Sequence, residues 1–183
     1  METLIAILVL SVAITGPLMI AQKGLQAALI SKDQITAFYL AQDAIEYIRY
    51  ARDTNCLVAG GGSGGCPAGQ WLQGNGSASQ DVNLTPCVST DGSAACRVDV
   101  IALSQPVACT GGVCQAINYD STNNYFTYIS GSASMYTRKV SIQNNPSCTL
   151  PCNPNEAVIV VTVSWNDPIA HSITVREDID NWQ

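Results

Sequence analysis

The sequence predicts an α+β fold: one long N-terminal helix, apolar and then amphipathic, followed by an antiparallel β-sheet head braced by disulfides. Three observations carry this. Residues 3–21 are almost all apolar, with no charge between Glu2 and Lys23. Residues 24–53 contain no proline, their only glycine is the first of them, and apolar residues recur at helical spacing. All eight cysteines lie beyond residue 55, in a Gly-, Ser- and Asn-rich region interrupted by β-branched runs. The division expected is a helix over 1–54 and a globular head over 55–183.

The first segment, residues 3–22, would rise about 30 Å as a helix, the thickness of a bilayer's hydrocarbon core. A cleaved signal peptide needs a basic n-region and a small-residue cleavage site. Here the N-terminal flank is acidic, and the first cation follows the run. A plain signal anchor explains the span but leaves Glu2 unexplained, since a carboxylate beside such a run is costly without a partner. Gly16-Pro17 is a weak point: proline removes a backbone donor and crowds the preceding turn, and glycine loosens the helix further. In lipid the freed carbonyls need other partners. Gly24 is a second soft place. The pair reads either as a tolerated kink or as a segment, within 16–24, that lengthens or unwinds when its surroundings change.

The second segment carries Leu25, Leu29, Ile35, Phe38, Ile45 and Ile48 mostly at steps of three, four or seven, a helical stripe expected to pack on the later sheet. Asp43, Glu46, Arg49 and Asp53 lie largely off it, and Arg49 and Asp53 are spaced to pair weakly on the surface. Asp53-Thr54-Asn55 ends the pattern. Beyond it, GGGSGG at 60–65 reads as a flexible loop, and Trp71-Leu72 as a short strand or core anchor. Strands are expected at 96–103, 125–129, 135–142, 157–165 and 171–179. AVIVVTVSW, then Asn166-Asp167-Pro168, then the alternating HSITVRED, reads as a hairpin.

An even number of cysteines in a loop-rich region reads as a disulfide framework made outside the cytoplasm. Proximity suggests Cys56–Cys66, Cys87–Cys96, Cys109–Cys114 and Cys148–Cys152, among the 105 pairings that eight cysteines allow. A zinc site is the rival, but it wants close Cys/His pairs in two sets; the chain has no C-x-x-C and a single histidine, His171. No metal, cofactor or catalytic residue is expected: the sequence has no nucleophile motif, no metalloprotease motif and no phosphate-cradling loop. Asp120-Ser-Thr-Asn-Asn lacks the spaced ligands of a calcium loop and reads as a turn. Asn75-Gly-Ser and Asn83-Leu-Thr fit glycosylation sequons. The formal net charge is −6, with nine acidic against four basic residues beyond residue 54. An acidic head offers no general attraction to nucleic acid or anionic lipid. A local basic spot such as Arg138-Lys139 is expected as a solvated strand edge.

ETLIAILVL, a glutamate within an apolar run, resembles the N-terminal signature of the type IV pilins. AITGPLMIAQKG followed by ITAFYLAQDAIEYIR looks like the pilin-like proteins of small-genome, host-dependent bacteria. The order of elements and the closing VTVSWND…HSITV hairpin are similar to the pilin fold as well. In that family a few residues, beginning with a methylated aromatic, usually precede the glutamate; here Glu2 follows Met1 directly, and methylation is not assigned to Met1. The resemblance implies a subunit held in the inner membrane, extracted by pilus assembly machinery and polymerised with copies of itself into an extracellular filament for attachment or motility. It implies that Glu2 pairs with a neighbouring subunit's N-terminal amine, fixing axial register, and that the helix melts near Gly16 and Pro17 on assembly. The shaft is expected to bind no nucleic acid. The alternatives are a minor pilin or pseudopilin that primes or tips a filament or secretion machine, and a membrane-anchored extracellular binding domain that never polymerises. A secreted enzyme is the remaining reading.

Overall fold

The structure, a computed structural model, describes residues 2–58, 66, 70–74, 81–143 and 155–181. The 60–65 loop, the sequon at Asn75 and the Cys148–Cys152 pair lie outside the described residues. The fold is α+β. Helix α1 runs Glu2–Val58 and a one-turn helix, α2, runs Gln70–Gln73. The chain forms two compact units, Met1–Thr36 and Ala37–Gln183.

The second unit is built on one eight-stranded sheet. Its spine is β6 (Ser132–Gln143), β7 (Glu156–Asp167) and β8 (Ile169–Asp180), each 12 residues long and antiparallel to the next. The other side of β6 is shared by shorter strands. β1 (Val88–Ser89) pairs with it in parallel, and β2 (Cys96–Arg97) and β4 (Ala116–Asp120) pair antiparallel. β3 (Val107–Ala108) extends β2, and β5 (Tyr125–Thr127) extends β4. Gly131 lets β6 start hard against β4: its φ is +85°, and a Cβ there would lie 2.4 Å from the Tyr119 carbonyl oxygen.

Inward residues of β7 alternate strictly, as a half-buried sheet requires. Ala157, Ile159, Val161, Val163 and Trp165 of β7 are buried with Val140 and Ile142 of β6. The opposing layer is the C-terminal part of α1, which buries Ala37, Leu40, Ala41, Ala44, Ile45, Tyr47, Ile48 and Ala51. Four of these eight are alanines. A face of small residues lets the helix axis come close to the sheet, so large side chains from the sheet and loops fill the space between. Trp71 and Leu72 are buried on α2, a helix rather than the strand that was one expectation.

Several expectations need correction. Of the expected stripe only Ile45 and Ile48 are buried; Leu25, Leu29, Ile35 and Phe38 are exposed. The buried face is the alanine-rich one, which a search for large apolar residues passes over. The helix continues past Asp53-Thr54-Asn55 to Val58. Asn55 does not stop it because its side chain is buried and fully engaged. Its amide donates to the carbonyls of Trp71 (3.2 Å) and Val82 (2.8 Å), and its Oδ1 accepts from Val82 N–H (2.9 Å). The strand expected at 96–103 ends at Arg97. There the Asp99 carboxylate captures the N–H groups of Ile101 and Ala102 and turns the chain. The hairpin strands run further at each end than expected, down to the pair Asp167↔Ile169 around Pro168. β4 was not expected. Arg138 is not a solvated edge residue but lies 1% exposed in the core.

Candidate assembly surface

Residues 2–32 of α1 expose every side chain. Eleven large apolar residues from Leu4 to Ile20, Leu8, Ile14 and Met19 among them, are at least half exposed. At about 1.5–3 kcal/mol for each such side chain fully buried, covering them is worth on the order of 20 kcal/mol, so this surface belongs against lipid or protein. This is the one helix among the described residues that is long and apolar enough to cross a membrane. Its few polar groups are satisfied locally. Ser11 Oγ donates to the Ile7 carbonyl (2.8 Å), and Thr15 Oγ1 lies within bonding distance of the Ser11 and Val12 carbonyls (3.0 and 3.1 Å). That arrangement suits an apolar medium, where an unpaired hydroxyl is costly.

Glu2 stands exposed in the first turn, where a carboxylate also faces the positive end of the helix dipole. Gly16 and Pro17 lie inside α1, which passes through both as helix. Nothing lies within 4 Å of a Cβ built on Gly16 or on Gly24. Gly16 is thus not required by a close contact within the single chain, and its effect here is on the backbone alone.

Among the described residues three disulfides close: Cys56–Cys66, Cys87–Cys96 and Cys109–Cys114, with sequence separations of 10, 9 and 5. Cys56–Cys66 fastens the last turn of α1, Cys87–Cys96 ties the start of β1 to β2, and Cys109–Cys114 closes the turn after β3. Each constrains a small loop, which limits the entropy of the unfolded chain.

Two buried polar centres hold the head and were missed from sequence. Arg138 donates from Nη1 to the Leu40 carbonyl of α1 (3.0 Å) and from Nη2 to the Val98 carbonyl (2.5 Å). Burial pulls its guanidinium below the ordinary value, while Tyr128, Asp43 and Asp99 act in the opposite sense. The signal was the alternation of β6. Val140 and Ile142 face inward, so residue 138 must as well, and Lys139 must face out. Asp99 accepts from the N–H groups of Ile101, Ala102 and Tyr128 and from the Thr127 hydroxyl. Burial raises its carboxyl, but these donors outweigh it and hold the group below the usual carboxylate range. His171 lies in β8 with its ring stacked on Trp165 at 5.4 Å. Asp120 is capped by Asn123, Ser130 and the Thr122 N–H, a closed turn.

A groove of 390 Å³ runs between α1 and β8, lined by Gln42, Asp43, Ile45, Glu46, Arg49, Val175 and Glu177. Arg49 bridges its two walls, 2.7 Å from Glu46 and 2.5 Å from Glu177. It does not pair with Asp53, which lies beside Arg52 instead. Burial raises the Asp43 carboxyl, with Arg138 opposing. Comparison with protein-family models, curated proteins and solved structures finds no match for this chain.

Proposed function

We propose that this chain is the structural subunit, a major pilin, of a type IV pilus. In this reading it waits in the inner membrane and polymerises into a helical extracellular filament. One observation carries the proposal: an apolar helical surface, uncovered on every side and headed by a carboxylate, belongs to the same helix that supports a disulfide-braced sheet. An anchor alone has no use for Glu2. In a bundle of copies, residues 3–21 exchange lipid for one another at little net cost, and Glu2 selects the register in which a neighbour's terminal amine meets it. Gly16 and Pro17 supply the place where the helix yields as subunits are drawn together.

The test is electron microscopy of fibres sheared from producing cells, with mass spectrometry of their main component. Thin fibres made chiefly of this chain support the proposal. Fibres in which it is scarce point to the minor-pilin role. No fibres, with the chain retained in the membrane, points to an anchored binding domain. Glu2→Ala should leave insertion and head folding intact but stop fibre growth, because an unpaired buried amine costs on the order of 3 kcal/mol or more at each contact. Normal fibres from that variant would refute the role given to Glu2.

A further inference from the structure

Asn83-Leu-Thr is a motif that neither the fold nor the filament reading uses. Of the twelve asparagines, only Asn75 and Asn83 head an N-x-Ser/Thr triplet without a central proline; Asn145-Pro-Ser is excluded by its own. Asn83 lies between α2 and the single 3₁₀ turn, Thr85–Cys87. Side chains alternate there: Val82 and Leu84 are buried, while Asn83 and Thr85 are exposed. The amide that would accept a sugar and the hydroxyl that marks the triplet thus stand at the surface, with Leu84 anchoring the chain between them. Asn83 Oδ1 accepts from the Thr85 N–H at 2.9 Å, and its backbone N–H donates to Gln105 Oε1 at 2.8 Å. Its Nδ2 has no protein partner among the described residues. Elsewhere the side-chain amide is in use. Asn55 Nδ2 serves the Trp71 and Val82 carbonyls, Asn123 Nδ2 the Asp120 carboxylate, and Asn181 Nδ2 the Cys66 carbonyl. A substituent on those nitrogens would disturb the fold; on Asn83 Nδ2 it leaves both bonds of the site in place. The disulfides point to an oxidising compartment, the side of the membrane on which such transfer takes place.

We propose that Asn83 is a modification site, the acceptor of an N-linked oligosaccharide. The donor is an oligosaccharide carried on a polyprenyl diphosphate. A bond forms between Asn83 Nδ2 and the anomeric carbon, the bond from that carbon to the diphosphate oxygen breaks, and the lipid diphosphate leaves. Nδ2 gives up one proton to a base of the transferase and keeps the other. Asp81 places a carboxylate two residues ahead of the acceptor, a second handle for a transferase with a basic groove. In the folded head Asp81, Val82 and Leu84 are buried, and Asn55 holds both the N–H and the carbonyl of Val82. The folded segment cannot enter an enzyme's groove. Transfer therefore precedes closure of the Asn55 clasp and of the neighbouring Cys87–Cys96 bond, and the fold then carries the sugar outward. The site requires only that the head reaches the outer side of the membrane, so it stands or falls separately from the filament reading.

Proteolysis of the full-length chain taken from producing cells, with electron-transfer fragmentation of the reduced peptides, tests this. The expected result is a sugar mass localised to Asn83. It should be lost in Asn83→Gln and in Thr85→Ala, and kept in Thr85→Ser, whose hydroxyl remains. Growth with a thiol reductant, which delays the Cys87–Cys96 bond, should raise the occupied fraction. Bare Asn83 in every chain overturns the proposal. A sugar that survives Asn83→Gln but not Thr85→Ala belongs to the threonine hydroxyl and overturns it as well. An occupied fraction that does not rise under reductant overturns the order given to transfer and folding.

Discussion

Residues 3–21 and residues 37–58 belong to one helix, yet their composition and burial run opposite ways. The first stretch is the more apolar, and all of it is exposed; the second is rich in alanine and carries Asp43, Glu46, Arg49 and Asp53, yet it buries ten side chains. Burial here follows shape rather than greasiness. Alanines at 37, 41, 44 and 51 admit a sheet at close range, whereas a ring of Leu, Ile and Val on all sides of a helix fits only lipid or a protein interior. A helix built for two surroundings should respond to substitution in two ways.

The largest contrast is expected between Trp71→Ala and Leu8→Ala in the detergent-solubilised full chain. Trp71 is fully buried beneath the carboxyl end of α1. Its truncation leaves a cavity and should cost about 3–5 kcal/mol of head stability. Leu8→Ala should change head stability by less than about 0.5 kcal/mol and act only on assembly. Denaturant unfolding followed by circular dichroism measures both. Comparable losses would mean the two units are not energetically distinct.

Arg138→Ala comes next. It leaves the Leu40 and Val98 carbonyls without their donors and opens a cavity, for a loss of about 3 kcal/mol. Lys139→Ala, one residue along and facing out, should cost less than about 0.5 kcal/mol. This pair sharpens the comparison inside a single strand: adjacent cations, one a core strut and one a surface charge. Equal small effects would show that Arg138 does not hold helix to sheet.

These substitutions also mark what the sequence made legible. The helix, the strands β6, β7 and β8 and the hairpin around Pro168 followed from periodicity, because long segments average out single exceptions. The buried face of α1 did not, since alanine is at home on either side of a helix and carries little hydrophobic weight. The strand expected beyond Arg97 was lost to Asp99, whose side chain competes with the sheet for backbone donors. β4, in AINYD, has too few β-branched residues to stand out, and it is held by its neighbours. Glu2, Gly16 and Pro17 were legible as residues out of place in an apolar run. Asn55 was not, because a polar residue in the core is recognised only by partners remote in sequence; Arg138 was marked only by the alternation of β6, and its partners are remote as well. Those partners were Val82 and Trp71 for the one, Leu40 and Val98 for the other.

The smallest contrast expected is also the most specific. Tyr47, on the buried face of α1, donates its hydroxyl to the Ser104 carbonyl at 2.6 Å. Burial, aided by Tyr50 and Asp99, pushes its phenol up to about 12 from an ordinary value of 10.0. A folded value above the unfolded one means the neutral phenol is favoured by folding. Its contribution is complete below about pH 10 and is lost as the pH climbs through about 12. Tyr47→Phe should therefore cost about 1 kcal/mol near neutrality, and the gap from the parent protein should close across that alkaline window. Tyr128, which burial also raises, is present in both proteins and cancels in the difference. A gap that stays constant up to pH 12 would assign the loss to packing, and the contact between α1 and the 104 turn would then be apolar in substance.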